Sequence, residues 1–202
     1  MLAKLIKKVV PGAKIFELCL WSDNLIYEEL SKVYNKKAIF KGIAFPTCIS
    51  PNEIVGHNSP LPEDSTNIKE GDVVKVQLGA HVDGFGAIVG HTVVVQSNKN
   101  AAVDGKKADV VLAAYKAAQA ALRLIRPGNT NKQVTHTIQK VCDAYEVNPV
   151  EGVLSHKLER HLIDGNKVYR GLGRLSSTRR PSTSMSTNRN SQCMTCLCSI
   201  ST

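Results

Sequence analysis

The chain has 202 residues, of which 43% are hydrophobic, and it carries a formal charge of +9. This composition predicts one folded domain, or a domain and a fragment, and it excludes membrane insertion because no apolar run approaches the ~18 residues of a span. The start, MLAKLIKKVVPG, has lysines among its apolar positions and no small-residue cleavage site, so a secretory signal is not expected.

The positive charge is concentrated in residues 169–202, which hold five arginines and no acid. Such an excess is compatible with a polyanion partner such as RNA, and equally with a basic solvated surface. Three cysteines lie among apolar neighbours, as buried thiols of a reduced compartment do: Cys19, Cys48 and Cys142. Three more form C-x-x-C-x-C in the tail, where no fourth ligand lies near enough to complete a metal site: Cys193, Cys196 and Cys198.

The first hundred residues predict two helices followed by three strands. Apolar periodicity favours a short helix over residues 2–10, ended by Pro11-Gly12, and a longer one over residues 13–34. Residues 40–49 predict a strand that Pro46 interrupts, and therefore an edge strand or an irregular turn. Residues 50–70 are rich in proline, asparagine, serine and acids, which predicts a loop that contains His57.

The segment 73–95 predicts a β-hairpin that organises the rest. Its two valine-rich runs flank Asp83-Gly84, a dipeptide that tolerates the positive φ angles of a two-residue turn. A turn centred there sets Gly79 opposite Ile88 and Gln77 opposite Gly90. Gln77 and Ile88 are then diagonal neighbours on one face, because side chains alternate along a strand.

The later part of the chain repeats the opening pattern. Residues 108–125 predict a helix with one apolar stripe: Val111, Ala114, Ala118, Leu122 and Ile125. A further helix follows, capped by Asn129 or Thr130. Helix, Pro-Gly, helix thus occurs twice, with Pro11 and Pro127 116 residues apart, which predicts a duplicated half-domain. In the second copy, strands that match the hairpin of residues 73–95 should follow residues 156–164, but the sequence there does not predict them.

From about residue 168 the sequence changes character. Residues 169–202 hold 13 serines and threonines and no acid, a composition that buries too little apolar surface to offset its ordering entropy. We therefore expect two parts: an incomplete domain over residues 1–168, and a basic Ser/Thr-rich tail over residues 169–202 that is disordered or read from a shifted frame.

Four segments, KGIAFPTCIS, VVKVQLGAHVDGF, AALRLIRPGNTN and EGVLSHKLERHLIDG, together resemble the proliferation-associated, ErbB-receptor-binding protein family. That family is similar to the type 2 methionine aminopeptidases of peptidase family M24. The resemblance implies an α+β, pita-bread (creatinase/aminopeptidase-like) fold, of which this chain would hold the first half and the start of the second, as a truncated domain.

The same resemblance shows which residues of this chain stand where the active peptidases bind their two metal ions. The pocket histidine falls on His57, the two aspartates on Gln77 and Ile88, and the ligand histidine on His156; two glutamates have no match. Two-metal hydrolysis needs anionic oxygens that bridge the ions, whereas Gln77 offers a neutral carbonyl and Ile88 no lone pair. We therefore expect a degenerate pocket with no catalytic residue, no bound metal and no cofactor.

The resemblance further implies a non-enzymatic protein that binds RNA, the large ribosomal subunit and regulatory proteins. Its processes would be ribosome biogenesis, translation and growth regulation, in the cytoplasm and the nucleus or nucleolus. The candidate RNA-binding residues form a loose basic cluster: Lys7, Lys8, Lys32, Lys36, Lys37 and Lys41. Two alternatives stay open: a metal-dependent methionine aminopeptidase with altered ligands, and a truncated gene product without function.

Overall fold

The computed structural model describes residues 1–35, 38–63, 66–98 and 101–165, together with the backbone of 168–170 and 198–199. The elements run, in chain order, α1 (Leu2–Ile6), α2 (Ile15–Ser31), β1 (Lys41–Pro51), β2 (Val73–Val82), β3 (Phe85–Val94), α3 (Gly105–Leu124), α4 (Asn131–Ala144), β4 (Asn148–Pro149), β5 (Leu154–His156), β6 (Val168–Arg170) and β7 (Cys198–Ser199). They divide into two compact units, one of residues 1–102 and 159–163, the other of residues 103–158 and 164–202.

In the first unit, three antiparallel strands in the order β1-β2-β3 pack beneath α1 and α2. The hairpin register is the predicted one: Gln77 pairs with Gly90 and Gly79 with Ile88. Alternation sends one set of β2 side chains into the core, which also takes the apolar faces of both helices. The core members are Leu5, Val9, Ile15, Leu18, Cys19, Ile26, Leu30, Ile49, Ile68, Val74, Val76, Leu78 and Val95.

β1 is an edge strand with two register shifts on either side of Phe45, close to Pro46, as its sequence predicts. Its Thr47 is fully buried and fixes the strand to α2. The Thr47 hydroxyl lies 2.9 Å from Ser22 Oγ and donates to Asp23 Oδ1 at 2.6 Å, and the Thr47 amide donates to the same carboxylate at 3.0 Å.

A short later segment, residues 159–163, holds the tip of the hairpin. Asp83 and Gly84 both have positive φ, 54° and 78°, as the turn requires. Arg160 Nη2 donates to Asp83 Oδ1 at 2.7 Å, and the His161 amide donates to the Gly84 carbonyl at 2.8 Å. A Cβ on Gly84 would overlap the His161 ring, so only glycine permits this approach.

The second unit is built on the pairing of α3 with α4. The predicted stripe on α3 is wrong by one position: the buried residues are Val110, Ala113, Ala117 and Ala121, whereas Leu122 is 47% exposed. Three of the four buried residues are alanines, whose small side chains mark the core face of a helix less clearly than Leu122 and Ile125 do. α4 supplies Val134, Ile138 and Cys142, and its first turn is capped by a hydrogen bond from the Thr130 amide to Gln133 Oε1 at 2.7 Å.

The predicted duplication is visible in the backbone. Gly12 and Gly128 have nearly equal positive φ angles, 84° and 86°, and α2 and α4 begin three residues after them, at Ile15 and Asn131. After α4 the described strands are short: β4 pairs with β7, and β5 with β6. β6 and β7 fall at or within the tail whose composition predicts disorder; residues 171–197 and 200–202 lie outside the described residues.

Candidate functional site

The candidate site lies on the sheet face that points away from α1 and α2. Register places Gln77 and Ile88 there as diagonal neighbours, with Gly79 and Gly90 between them. Gln77 is partly exposed, and Ile88 is buried at 7% exposure. At the two positions where a peptidase would set carboxylates, this face therefore presents a neutral amide and a buried hydrocarbon.

Gly79 brings apolar groups together in the middle of this face. A Cβ built on Gly79 would lie 2.8 Å from Phe45 Cβ and 3.0 Å from Ile88 Cγ1. Phe45 and Ile88 thus close over the glycine from the two flanking strands. The side-chain atoms nearest to Gly79 are thus carbons, which cannot ligate a cation.

His57 approaches the same face from the loop after β1. Its ring lies beside Phe45, with centroids 5.6 Å apart, and its φ of 59° is left-handed. The residue is exposed. His57 therefore lies beside Phe45, the residue that pairs with Gly79 on β2, and faces aromatic carbon there.

His81 is a residue of this face that the sequence analysis did not single out. It lies four residues after Gln77 on β2, so its side chain points the same way. Its ring packs against Phe40 at 4.9 Å, and its Nδ1 is buried with no hydrogen-bond partner among the described residues. The i, i+4 spacing from Gln77 along one strand was the signal that could have found it.

His156 belongs to the second unit, on β5. Its Nδ1 lies 3.5 Å from the Gly165 carbonyl, and its Nε2 lies 3.9 Å from Asp164 Oδ1. These contacts hold the ring within its own unit as a partly buried side chain. They are the contacts of a hydrogen-bonded histidine at the end of a short strand.

Lys41 and Lys32, both candidate RNA-binding residues, bind groups of α2 and of the turn that follows it. Lys41 Nζ donates to the carbonyls of Leu30 and Val33 at 3.0 and 2.6 Å, and so closes the C-terminal end of α2. Lys32 pairs with Glu28 at 2.7 Å and with Glu29 at 3.2 Å, and these hydrogen bonds raise its pKa.

The other four lysines divide into two pairs. Lys7 and Lys8 are exposed at the end of α1, where Lys8 Nζ lies 4.7 Å above the Trp21 ring. Lys36 and Lys37 lie outside the described residues. The described part of the predicted cluster thus contains two surface lysines and two that bind to α2.

The donor set does not fit the pair of divalent ions that an M24 peptidase uses. Within the described ranges no three histidine, cysteine, aspartate or glutamate side chains come together as a ligand group. Bridging two ions requires anionic oxygens, and the sheet face offers the single neutral carbonyl oxygen of Gln77.

Comparison with known proteins gives a consistent result. Residues 1–182 match the model of metallopeptidase family M24. The chain is 52% identical over 160 residues to "ERBB-3 binding protein 1" of Arabidopsis thaliana, covering 78% of this chain and 40% of the relative. It is 50% identical over 169 residues to "curved DNA-binding protein" of Schizosaccharomyces pombe, covering 80% and 44%. The chain therefore spans about two fifths of the length of these curated relatives.

Among solved structures, a thermophilic Arx1 superposes with a TM-score of 0.78 at 34% identity, over 83% of this chain and 51% of that one. Together with the family match, this likeness confirms the predicted class, a partial α+β fold of the aminopeptidase-like, pita-bread type. No helix in the described ranges combines the length and the apolar character that crossing a bilayer would need.

Proposed function

The chain belongs to metallopeptidase family M24, and we propose that it is a non-enzymatic member that binds RNA, ribosomes and partner proteins. Its processes would be ribosome biogenesis, translation and growth regulation, in the cytoplasm and the nucleus or nucleolus. The observation that carries the proposal is that Gln77 and Ile88, a neutral amide and a hydrocarbon, are diagonal neighbours on one face of the sheet. A family member that has lost its anionic ligands keeps the fold as a binding scaffold.

The electrostatic argument for a polyanion partner rests on the surface at the end of α1. The chain has a net positive charge, and Lys7 and Lys8 are exposed to solvent. Each phosphate that a lysine neutralises releases a condensed counterion, which favours binding. A phosphate at Lys32 would have to displace a carboxylate, and one at Lys41 would have to displace backbone carbonyls near the end of α2. The name of the fission-yeast relative, a DNA-binding protein, supports a nucleic acid as the partner class.

The support for protein partners is the name of the Arabidopsis relative, which describes binding to ErbB-3. We assign no surface to that activity. The polyanion surface can be tested by itself.

The test is a salt titration of RNA and ribosome binding by the purified chain. Replacing Lys7 and Lys8 by glutamate is expected to lower affinity at least about tenfold at low salt and to flatten the plot of log K against log salt. The matched control is the same double replacement at Lys106 and Lys107, exposed at the start of α3. Equal losses in both variants would contradict the assignment of the surface, and absence of binding by folded wild-type chain would contradict the proposal.

A further inference from the structure

The segment that connects α2 to β1 displays aromatic side chains within a basic stretch. Residues 32–41 hold four lysines and no acid, and Tyr34 and Phe40 stand among them. Tyr34 is 65% exposed and Phe40 is 70% exposed, more than any other phenylalanine, tyrosine or tryptophan that the structure describes. Burial of an aromatic ring is a large source of folding free energy. Two rings left in solvent within one short segment therefore point to a role outside the core.

The backbone at Tyr34 is unfavourable for a residue of its type. Its φ of 53° lies in the left-handed region that favours glycine, and it follows the end of α2, where glycine commonly terminates a helix. Asn35 completes this helix end by donating from Nδ2 to the Ser31 carbonyl at 2.6 Å. Because a bulky residue in this conformation costs stability, the helix end does not explain why a tyrosine stands here.

Lys41 fixes the arrangement of the two aromatic residues. Its ammonium donates to Asn35 Oδ1 at 3.0 Å, beside Tyr34 in the chain. The backbone of the same lysine directly follows Phe40. The Phe40 ring is supported by the His81 ring, with the two centroids 4.9 Å apart. A single lysine side chain therefore spans the segment, with one aromatic residue next to each of its ends.

We propose that Tyr34 and Phe40 form a stacking platform for the bases of single-stranded RNA, an inference that rests on the RNA binding proposed above. The bases of a single strand are free to stack on aromatic side chains, whereas those of a duplex already stack on one another. The positive charge of residues 32–41 attracts the phosphates that join these bases. Stacking adds to this attraction without displacing the groups that Lys32 and Lys41 already bind.

The test is fluorescence anisotropy of a labelled RNA strand of about 12 nucleotides, titrated with the purified chain at several salt concentrations. Tyr34→Ala and Phe40→Ala should each weaken binding about fivefold or more, because each removes a stacking surface. The slope of log K against log salt should stay unchanged, since no charge is removed. Tyr34→Phe keeps the ring and should bind like the wild-type chain. The matched control is Tyr115→Ala, which removes a 58% exposed tyrosine on α3 and should leave the affinity unchanged.

Tyr34→Gly separates a binding role from a structural one. Glycine relieves the left-handed backbone, so the urea midpoint should be unchanged or higher, while RNA affinity falls as in Tyr34→Ala. A midpoint that falls together with affinity would overturn the proposal. So would alanine variants that bind RNA as tightly as the wild-type chain, or tighter binding to a duplex of the same sequence, and these two results would leave RNA binding itself intact. A folded wild-type chain that binds no RNA would contradict both proposals.

Discussion

Replacing Gly79 by alanine tests how closely the strands approach at the candidate site. The new Cβ would lie 2.8 Å from Phe45 Cβ, 3.0 Å from Ile88 Cγ1 and 3.1 Å from the Phe45 backbone nitrogen. The last contact is with backbone, so no side-chain rotation can relieve it and β1 must move. Overpacking of this kind costs about 1–3 kcal/mol. That cost exceeds the ~0.5–1 kcal/mol of stability that replacing glycine by alanine adds by lowering the entropy of the unfolded chain.

Gly86→Ala is the matched control, on the same face of the same hairpin. Its Cβ would meet Ala44 Cβ at 3.6 Å and Ile163 Cγ2 at 3.8 Å, which are ordinary contacts. We expect its free energy of unfolding to be unchanged or higher by up to ~1 kcal/mol, whereas Gly79→Ala should lose about 1–2 kcal/mol. Urea denaturation followed by fluorescence of Trp21, the single tryptophan and a neighbour of the first core, reports this unit. Equal midpoints for the two variants would refute the close approach.

Three further predictions concern the same unit. Thr47→Val should lower the free energy of unfolding by about 1–3 kcal/mol, because it removes a buried hydroxyl that binds Asp23; Thr47→Ser, which keeps the hydroxyl, should lose less in the same urea assay. Burial raises the pKa of the Cys19 thiol to about 12 and that of Cys48 to about 11, above the ordinary 9.0. The native state therefore keeps thiol protons that the unfolded state releases above pH 9. The contribution of the two thiols to the free energy of unfolding is complete below pH 9 and is lost as pH rises toward 11–12. Urea midpoints measured against pH should show this loss, and a Cys19→Ala, Cys48→Ala chain should show a smaller one. Arg160→Ala removes a half-exposed ion pair with Asp83, so global stability should fall by less than ~1 kcal/mol. Hydrogen exchange of the His161 amide, which donates to the Gly84 carbonyl, should become faster. Unchanged exchange would contradict the role of Arg160 in holding the turn.

The hairpin could be predicted in full because its determinants are local. Asp83-Gly84 fixes the turn, and two-residue periodicity then fixes every opposing pair, including Gln77 with Gly90. The duplicated Pro-Gly junctions were equally readable, since Gly12 and Gly128 are the positions that need positive φ.

Features that depend on contacts distant in sequence could not be predicted. The sequence shows Lys41 as one more basic residue, yet its ammonium closes the end of α2, eleven residues earlier in the chain. The buried stripe of α3 is the one that shares a core with α4, and its alanines give a weak periodic signal beside leucine. The buried Nδ1 of His81 depends on Phe40 and the neighbouring strand, neither of which its own spacing reveals.

The central claim is that the face of Gln77 and Ile88 cannot hold a pair of divalent ions. The direct measurement is the metal content of the untagged chain after equilibration with Mn²⁺, Co²⁺ or Zn²⁺ and removal of free ion, with release of methionine from a Met-peptide assayed in parallel. We predict substoichiometric metal and no release. Two ions per chain, with turnover that depends on them, would contradict the account.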